Sequence, residues 1–170
     1  EAISAALAEG ARRCSGIVLT SEWERFVKTS AGADGRDRGT NIELSIRAFV
    51  ADDSSGQGNT CATRLEGFNP ESAGAEAGKI ADQAANSVYG NEGKYTVLFG
   101  PAIMANLLNR VADFASAYYV DLGLSCLAGR VGQKVASEKL TLIDDRRLPG
   151  GINSCSLDEE GYPTQRTTII

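Results

Sequence analysis

The chain has 170 residues, 42% apolar and 23% charged, with a net charge of −5 and no histidine. That length suits one full domain or two small ones, with the composition of an ordinary soluble globular protein. The mild acidity and the lack of any Lys/Arg block exclude a phosphate-binding nucleic-acid surface, and no window approaches the roughly 18 apolar residues of a membrane helix.

Residues 1–13 predict a short amphipathic helix, with Ile3, Leu7 and Ala11 spaced by four. They lack a basic start and a long apolar core, so they do not read as a signal peptide. They read instead as the tail of a helix begun earlier. Gly16 to Thr20 predicts a buried strand, and Trp23 to Ser30 a second, with Trp23, Phe26 and Val27 as anchors. Ala31 to Thr40, which holds Asp34, Arg36, Asp37 and Arg38 among glycines, reads as an exposed turn. No helix follows it, so it does not read as a phosphate site.

Asn41 to Ala51 alternates strictly. Ile42, Leu44, Ile46, Ala48 and Val50 share one face, the pattern of a half-buried strand in an antiparallel sheet. Asp52 to Asn59 reads as a turn and Thr60 to Leu65 as a returning strand. Asn69-Pro70-Glu71 then starts a helix: Asn69 caps, Pro70 fits the first helical position, and Glu71 suits the positive end of the dipole. Ala73, Ala77, Ile80, Ala81, Ala84 and Val88 line one face of a helix over 70–89, and so many alanines imply close packing on a sheet. Gly90 to Gly93 ends it and marks a domain boundary between 1–90 and 94–170.

Tyr95 to Phe99 predicts a strand, and Pro101 to about Tyr119 a second helix whose apolar face includes Ile103, Leu107, Val111 and Phe114. Leu140 to Ile143 predicts a short strand, and residues 166–170 begin another. The fold class is α+β: an antiparallel meander with a packed alanine-rich helix, then the start of a β-rich domain carrying one long helix.

Residues able to carry chemistry are few. Cys14, Cys61, Cys126 and Cys155 are far apart without a Cys-x-x-Cys pair, which argues against a zinc ribbon and for free thiols in a reducing compartment. A nucleophilic Ser or Cys has no His to lean on, and a Ser-Lys set from Ser137, Lys134 and Lys139 has nothing to distinguish it from surface polar residues. Asp144-Asp145 and Asp158-Glu159-Glu160 offer five carboxylates for a hard cation, but without EF-hand spacing they read as turn caps. Gly129 and Gly132 space like part of a phosphate loop whose closing Lys-Ser/Thr pair is missing.

From Leu127 to Ile170 the order is a small-residue loop containing KVAS, then LTLIDD, then LPGG, then DEEGYPTQ. That order and spacing resemble the core of the TldD/PmbA family, two-subunit cytoplasmic metallopeptidases also called modulators of DNA gyrase. The resemblance is strong over the last 75 or so residues and looser before them. It implies that the chain is an internal fragment of a longer protein. In catalytic members a helix just upstream carries His-Glu-x-x-x-His, two metal ligands and a base for metal-bound water. Here that helix reads LLNRVADF, which puts Asn109 and Arg110 on the His-Glu positions and Phe114 on the second His. None is a ligand for a catalytic transition metal. The family's cysteine ligand lies further towards the C-terminus, so neither Cys126 nor Cys155 inherits it.

The resemblance therefore implies no catalytic residue, no cofactor and no metal in this chain. It implies a PmbA/TldE-type subunit, a pseudoenzyme in the cytoplasm. Its partner would be a TldD-like catalytic subunit holding zinc or iron, and its substrates unfolded or leader peptides. One alternative is a homodimeric, self-associating peptide-binding protein of the same fold without proteolysis. A third reading, an enzyme whose metal site lies elsewhere in a longer chain, stays open.

Overall fold

The structure is a computed structural model that describes all of residues 1–170. It divides into two compact units: Glu1–Gly90 with Asp145–Gln165, and Asn91–Asp144 with Arg166–Ile170. The architecture is α+β, with helices and antiparallel strands.

The first unit is built on a three-stranded antiparallel meander, β1 (Arg13–Lys28), β2 (Asp34–Ala51) and β3 (Ser54–Ala62), in the order β1-β2-β3. β1 is one continuous strand where two are predicted. β2 begins seven residues before the predicted strand, so most of the presumed Gly-rich turn is sheet, in register from Lys28↔Asp34 onwards. The presumed turn at Asp52 to Asn59 shrinks likewise, because β3 starts at Ser54. The reason is common to both: the covered positions, Gly35, Asp37 and Gly39 on the face opposite the helices and Ser54, Gly56 and Gly58 beneath them, alternate without carrying a hydrophobic signal.

Two helices, α1 (Ala2–Ala8) and α2 (Pro70–Gln83), cover one end of one sheet face. Leu44, Ile46 and Ala48 of β2 point into this layer and are buried, with Ile42 and Val50 half-buried at its margins. Ala73, Ala77 and Ala81 of α2 meet them. Gly56 and Gly58 of β3 lie directly under α2, where a methyl on either would overlap the carbonyl oxygens of Ala77 and Ala73. Gly74 and Gly78, on the neighbouring face of α2, admit the backbone of α1 at Ala2 and Ala6. Helix, sheet and helix thus approach backbone to backbone, and the buried Ser54 hydroxyl donates to the Ala81 carbonyl.

Apolar assignments at Ile3, Leu7 and Ile80 change for this reason, and that of Val88 for another. Ile3 and Leu7 are exposed while Ala6 and Ala11 are buried, because only small residues fit against the glycines of α2. Ile80 is 40% exposed for the same reason. Val88 lies beyond the helix, which stops at Gln83 and turns out through Asn86 at φ 61°, a left-handed residue where asparagine substitutes for the usual glycine. The predicted cap holds: the Asn69 side chain accepts from the Ser72 N–H at 2.9 Å, with Pro70 next in line.

The second unit carries α3 (Pro101–Ala115), α4 (Ala117–Asp121) and the ribbon of β4 (Ile143–Asp145) with β5 (Arg166–Thr168). The long predicted helix is interrupted at Ser116, whose backbone is extended (ψ 136°). Serine has weak helix preference, and no side-chain bond holds it in the ladder. Tyr95 to Phe99 forms no strand, since no neighbouring strand pairs with it and strand propensity acts only through pairing. The strand predicted at Leu140 appears three residues later, with Leu142 exchanging backbone bonds with Ile169 and Ile170.

Candidate functional site

The helix positions singled out from sequence fall on the last two turns of α3. Asn109 and Arg110 are exposed and Phe114 is half-buried. Arg110 is tied to Asp113 at 3.2 Å, within its own helix. Phe114 packs edge-on against Tyr119, with ring centroids 6.3 Å apart, and lines a cavity of about 510 Å³ with Val120, Leu127 and Leu140. The donor set does not fit a transition metal. An amide is a poor ligand, the guanidinium is cationic and already paired, and the phenyl ring has no lone pair. We therefore derive no metal-dependent step here.

The other candidates resolve into local structure. Asp158 Oδ1 accepts from the N–H groups of Glu160 (3.0 Å) and Tyr162 (2.8 Å), and Asp145 Oδ1 accepts from that of Arg147 (3.0 Å). Both are aspartates closing their own turns. No group of three or more His, Cys, Asp or Glu side chains is placed to share a metal ion. Lys134 pairs with Glu138 at 2.7 Å, while Ser137 accepts the Lys139 backbone N–H at 3.3 Å, so the three do not form a Ser-Lys pair. Gly129 and Gly132 both have positive φ (70° and 78°) in separate turns with no helix after them. All four cysteines are free, and burial raises the Cys14 thiol above its ordinary value.

The best-connected polar group in the chain lies in the stretch that reads from sequence as an exposed turn. Asp37, placed by sequence in a solvated turn, sits on β2 with its side chain only 15% exposed. It accepts the Ser156 hydroxyl at 2.7 Å, the Ser156 N–H at 3.0 Å and the Arg25 guanidinium at 3.2 Å. Arg25 also donates to the Leu157 carbonyl. Burial pushes the Asp37 carboxyl up, but the bonds from Ser156 and Arg25 outweigh it and hold it below the usual carboxylate range. Gly35, one turn of the pleat away, receives the Leu157 side chain where a Cβ would stand. Together these contacts fasten the Asp145–Gln165 segment to the sheet face opposite the helices. The one available signal was the strict alternation Gly35-Arg36-Asp37-Arg38-Gly39.

Residues 1–87 match the PmbA/TldA metallopeptidase central domain, and residues 92–170 match the PmbA/TldA metallopeptidase C-terminal domain. The chain belongs to the PmbA/TldD family. It is 29% identical over 146 residues to an uncharacterized protein of Methanocaldococcus jannaschii, covering 83% of this chain and 33% of that one. It is 27% identical over 139 residues to a metalloprotease of Methanothermobacter thermautotrophicus, covering 77% and 30%. A protein of Thermotoga maritima named as a modulator of a DNA gyrase superposes over 99% of this chain and 40% of its own, with a TM-score of 0.91 and 25% identity. The chain thus spans about a third of the length of the curated relatives it matches. Family membership makes it metallopeptidase-like in fold. No helix is long and apolar enough to cross a membrane.

Proposed function

We propose that this chain forms part of a non-catalytic, PmbA/TldE-type subunit of a two-subunit cytoplasmic metallopeptidase that acts on unfolded or leader peptides. What supports the reading is α3: by the family resemblance Asn109, Arg110 and Phe114 stand at the His-Glu-x-x-x-His positions, and here Arg110 pairs with Asp113, Phe114 packs against Tyr119 and Asn109 is exposed. In this reading the zinc or iron belongs to the partner subunit. This subunit contributes walls and peptide contacts to the shared enclosure.

The test is a pull-down from source lysate, with co-purifying proteins identified by mass spectrometry and metal counted in each. A stoichiometric partner carrying His-Glu-x-x-x-His and the transition metal is the expected result. Recovery of the chain only with itself would sink the two-subunit reading and favour a homodimeric peptide-binding protein. Stoichiometric transition metal bound to this subunit would contradict the pseudoenzyme assignment.

A further inference from the structure

In the first unit, part of β2 is left without a strand partner on one side. β3 stops pairing with β2 at Ile42↔Ala62, so Arg38 to Thr40 of β2 have a strand partner on the β1 side only. Beyond that point the chain leaves the sheet, held by the Thr40 hydroxyl donating to the Thr63 carbonyl at 2.9 Å. A cleft of about 1030 Å³ is lined by this stretch of β2 and by Pro149 to Ile152. Its floor includes Trp23, whose indole lies so close to Gly39 that a Cβ there would stand 2.7 to 2.9 Å from ring atoms. Only glycine leaves room for the ring.

Two arginines line the cleft, Arg38 and Arg64, and neither engages an ion pair or side-chain hydrogen bond. In contrast, Arg25, Arg36 and Arg110 are each paired with a carboxylate. Glu66 is the single acid in the lining. The cleft is therefore net cationic in a chain whose overall charge is −5. Two cations are too few for a polyphosphate backbone. An open strand edge offers alternating N–H and C=O groups that only another extended backbone can use fully.

We infer that this cleft binds an extended peptide segment bearing acidic side chains, which pairs with the free edge of β2, places its carboxylates on Arg38 and Arg64, and rests an apolar residue on Trp23. The inference rests on the peptide-handling part of the function proposed above, and gives it a substrate class. Guanidinium–carboxylate bonds supply charge preference, and the strand edge supplies affinity independent of side chains.

Trp23 is the only tryptophan in the chain, so its emission reports occupancy directly. The probes are a blocked Glu-Val-Glu-Val-Glu-Val hexapeptide, its Gln-for-Glu counterpart, and inorganic phosphate. The expected result is a saturable emission change with the Glu peptide, binding at least about tenfold weaker with the Gln peptide, and no matching change with phosphate at equal concentration. Arg38→Ala and Arg64→Ala should each weaken the Glu peptide roughly tenfold, the scale of one charged hydrogen bond. Arg36→Ala, which removes a guanidinium already paired to Glu24, should leave binding unchanged. If the arginine variants lose their fold by circular dichroism, Glu66→Gln decides instead: it should tighten the Glu peptide several-fold. Equal binding of the Glu and Gln peptides would overturn the acidic preference while leaving peptide handling intact. An unchanged emission with both peptides, or the same change with phosphate, would overturn the peptide site itself. Neither result depends on whether a catalytic partner is found.

Discussion

The two units solve the problem of burial differently. Every buried apolar residue belongs to the first, and six of the eight are alanines. The second unit has no buried residue, and it leaves Leu98, Ile103, Leu107 and Val131 open, Leu98 and Val131 almost fully so. In the first, helices and strands approach so closely that glycine is a requirement at the contacts. In the second, the apolar stripe of α3 is open at Ile103 and Leu107 and only half-buried at Val111 and Phe114. Stability in the first unit thus comes from backbone proximity and many small contacts. The second depends on local helix and turn chemistry.

The largest expected effect breaks the first unit where it is tightest. Gly58→Val drives methyls into the Ala73 carbonyl, with no flexible side chain to yield. A cost of about 4 kcal/mol or more is expected, on the scale of severe overpacking. Urea denaturation should show loss of the cooperative transition. Gly100→Ala, at a glycine of the second unit with open space around it, should change stability by no more than about 0.5 kcal/mol. Similar losses at both sites would mean that the units do not differ in packing as described. Amide exchange sharpens the same contrast: α2 should be protected well beyond α3.

Next in size is the polar anchor of the Asp145–Gln165 segment. Asp37→Asn removes the charge that Ser156 and Arg25 address and leaves the Arg25 guanidinium without its carboxylate, with the Leu157 carbonyl as its remaining acceptor. A loss of about 1–3 kcal/mol at pH 7 is expected, the range for a buried charged hydrogen-bond acceptor. The sign of the pH dependence follows from the depressed carboxyl. The unfolded chain takes up the proton first as pH falls, so acid favours unfolding. The contribution of Asp37 is therefore present above the ordinary carboxylate value of about 3.9 and is lost as pH falls through the lower folded value. The gap between the parent and Asp37→Asn in denaturation midpoint should begin to close as pH falls below the ordinary carboxylate value of about 3.9 and vanish once the folded-state carboxyl is protonated. A gap that persists at the acid end would show that the substitution acts through packing and not through charge.

The same two places explain what could be seen from sequence. The central half of β2 was legible because its inward residues are leucine, isoleucine and alanine. Its first half alternates too, but the covered side switches to the face opposite the helices, and Gly35, Asp37 and Gly39 stand there in place of apolar residues. β3 hides itself in the same way, with Ser54, Gly56 and Gly58 inward. Glycine reads as a turn in isolation and as a close contact only when its partner is known, and the partners here are α2 and Leu157, distant in sequence. The Asn69 cap was legible because cap chemistry is local. For α3, sequence located the helix, since helical spacing needs no partner. The break at Ser116 and the unpaired Tyr95 to Phe99 were not legible, because both depend on what lies alongside.

Local chemistry gives the smaller effects, at a helix start in the first unit and along α3 in the second. Asn69→Ala removes the side-chain bond to the Ser72 N–H at the start of α2, and should cost about 1 kcal/mol. Asn69→Gly should cost only a few tenths, because glycine keeps the cap backbone accessible. Thermal midpoints of the two variants give the ordering directly.

Arg110→Ala should have the smallest effect of all. The Arg110–Asp113 pair spans one turn of α3, with the arginine side chain 73% exposed. Water and salt screen such a pair, and ordering the long side chain offsets most of its attraction, so less than about 0.5 kcal/mol is expected. Alanine also has the better helix preference, which trims the loss further. A larger loss, abolished by 1 M salt, would place Arg110 in a network beyond α3. A fall in stability that salt does not touch would instead point to its aliphatic stem covering apolar surface, and α3 would then be a packed element, contrary to the contrast between the units.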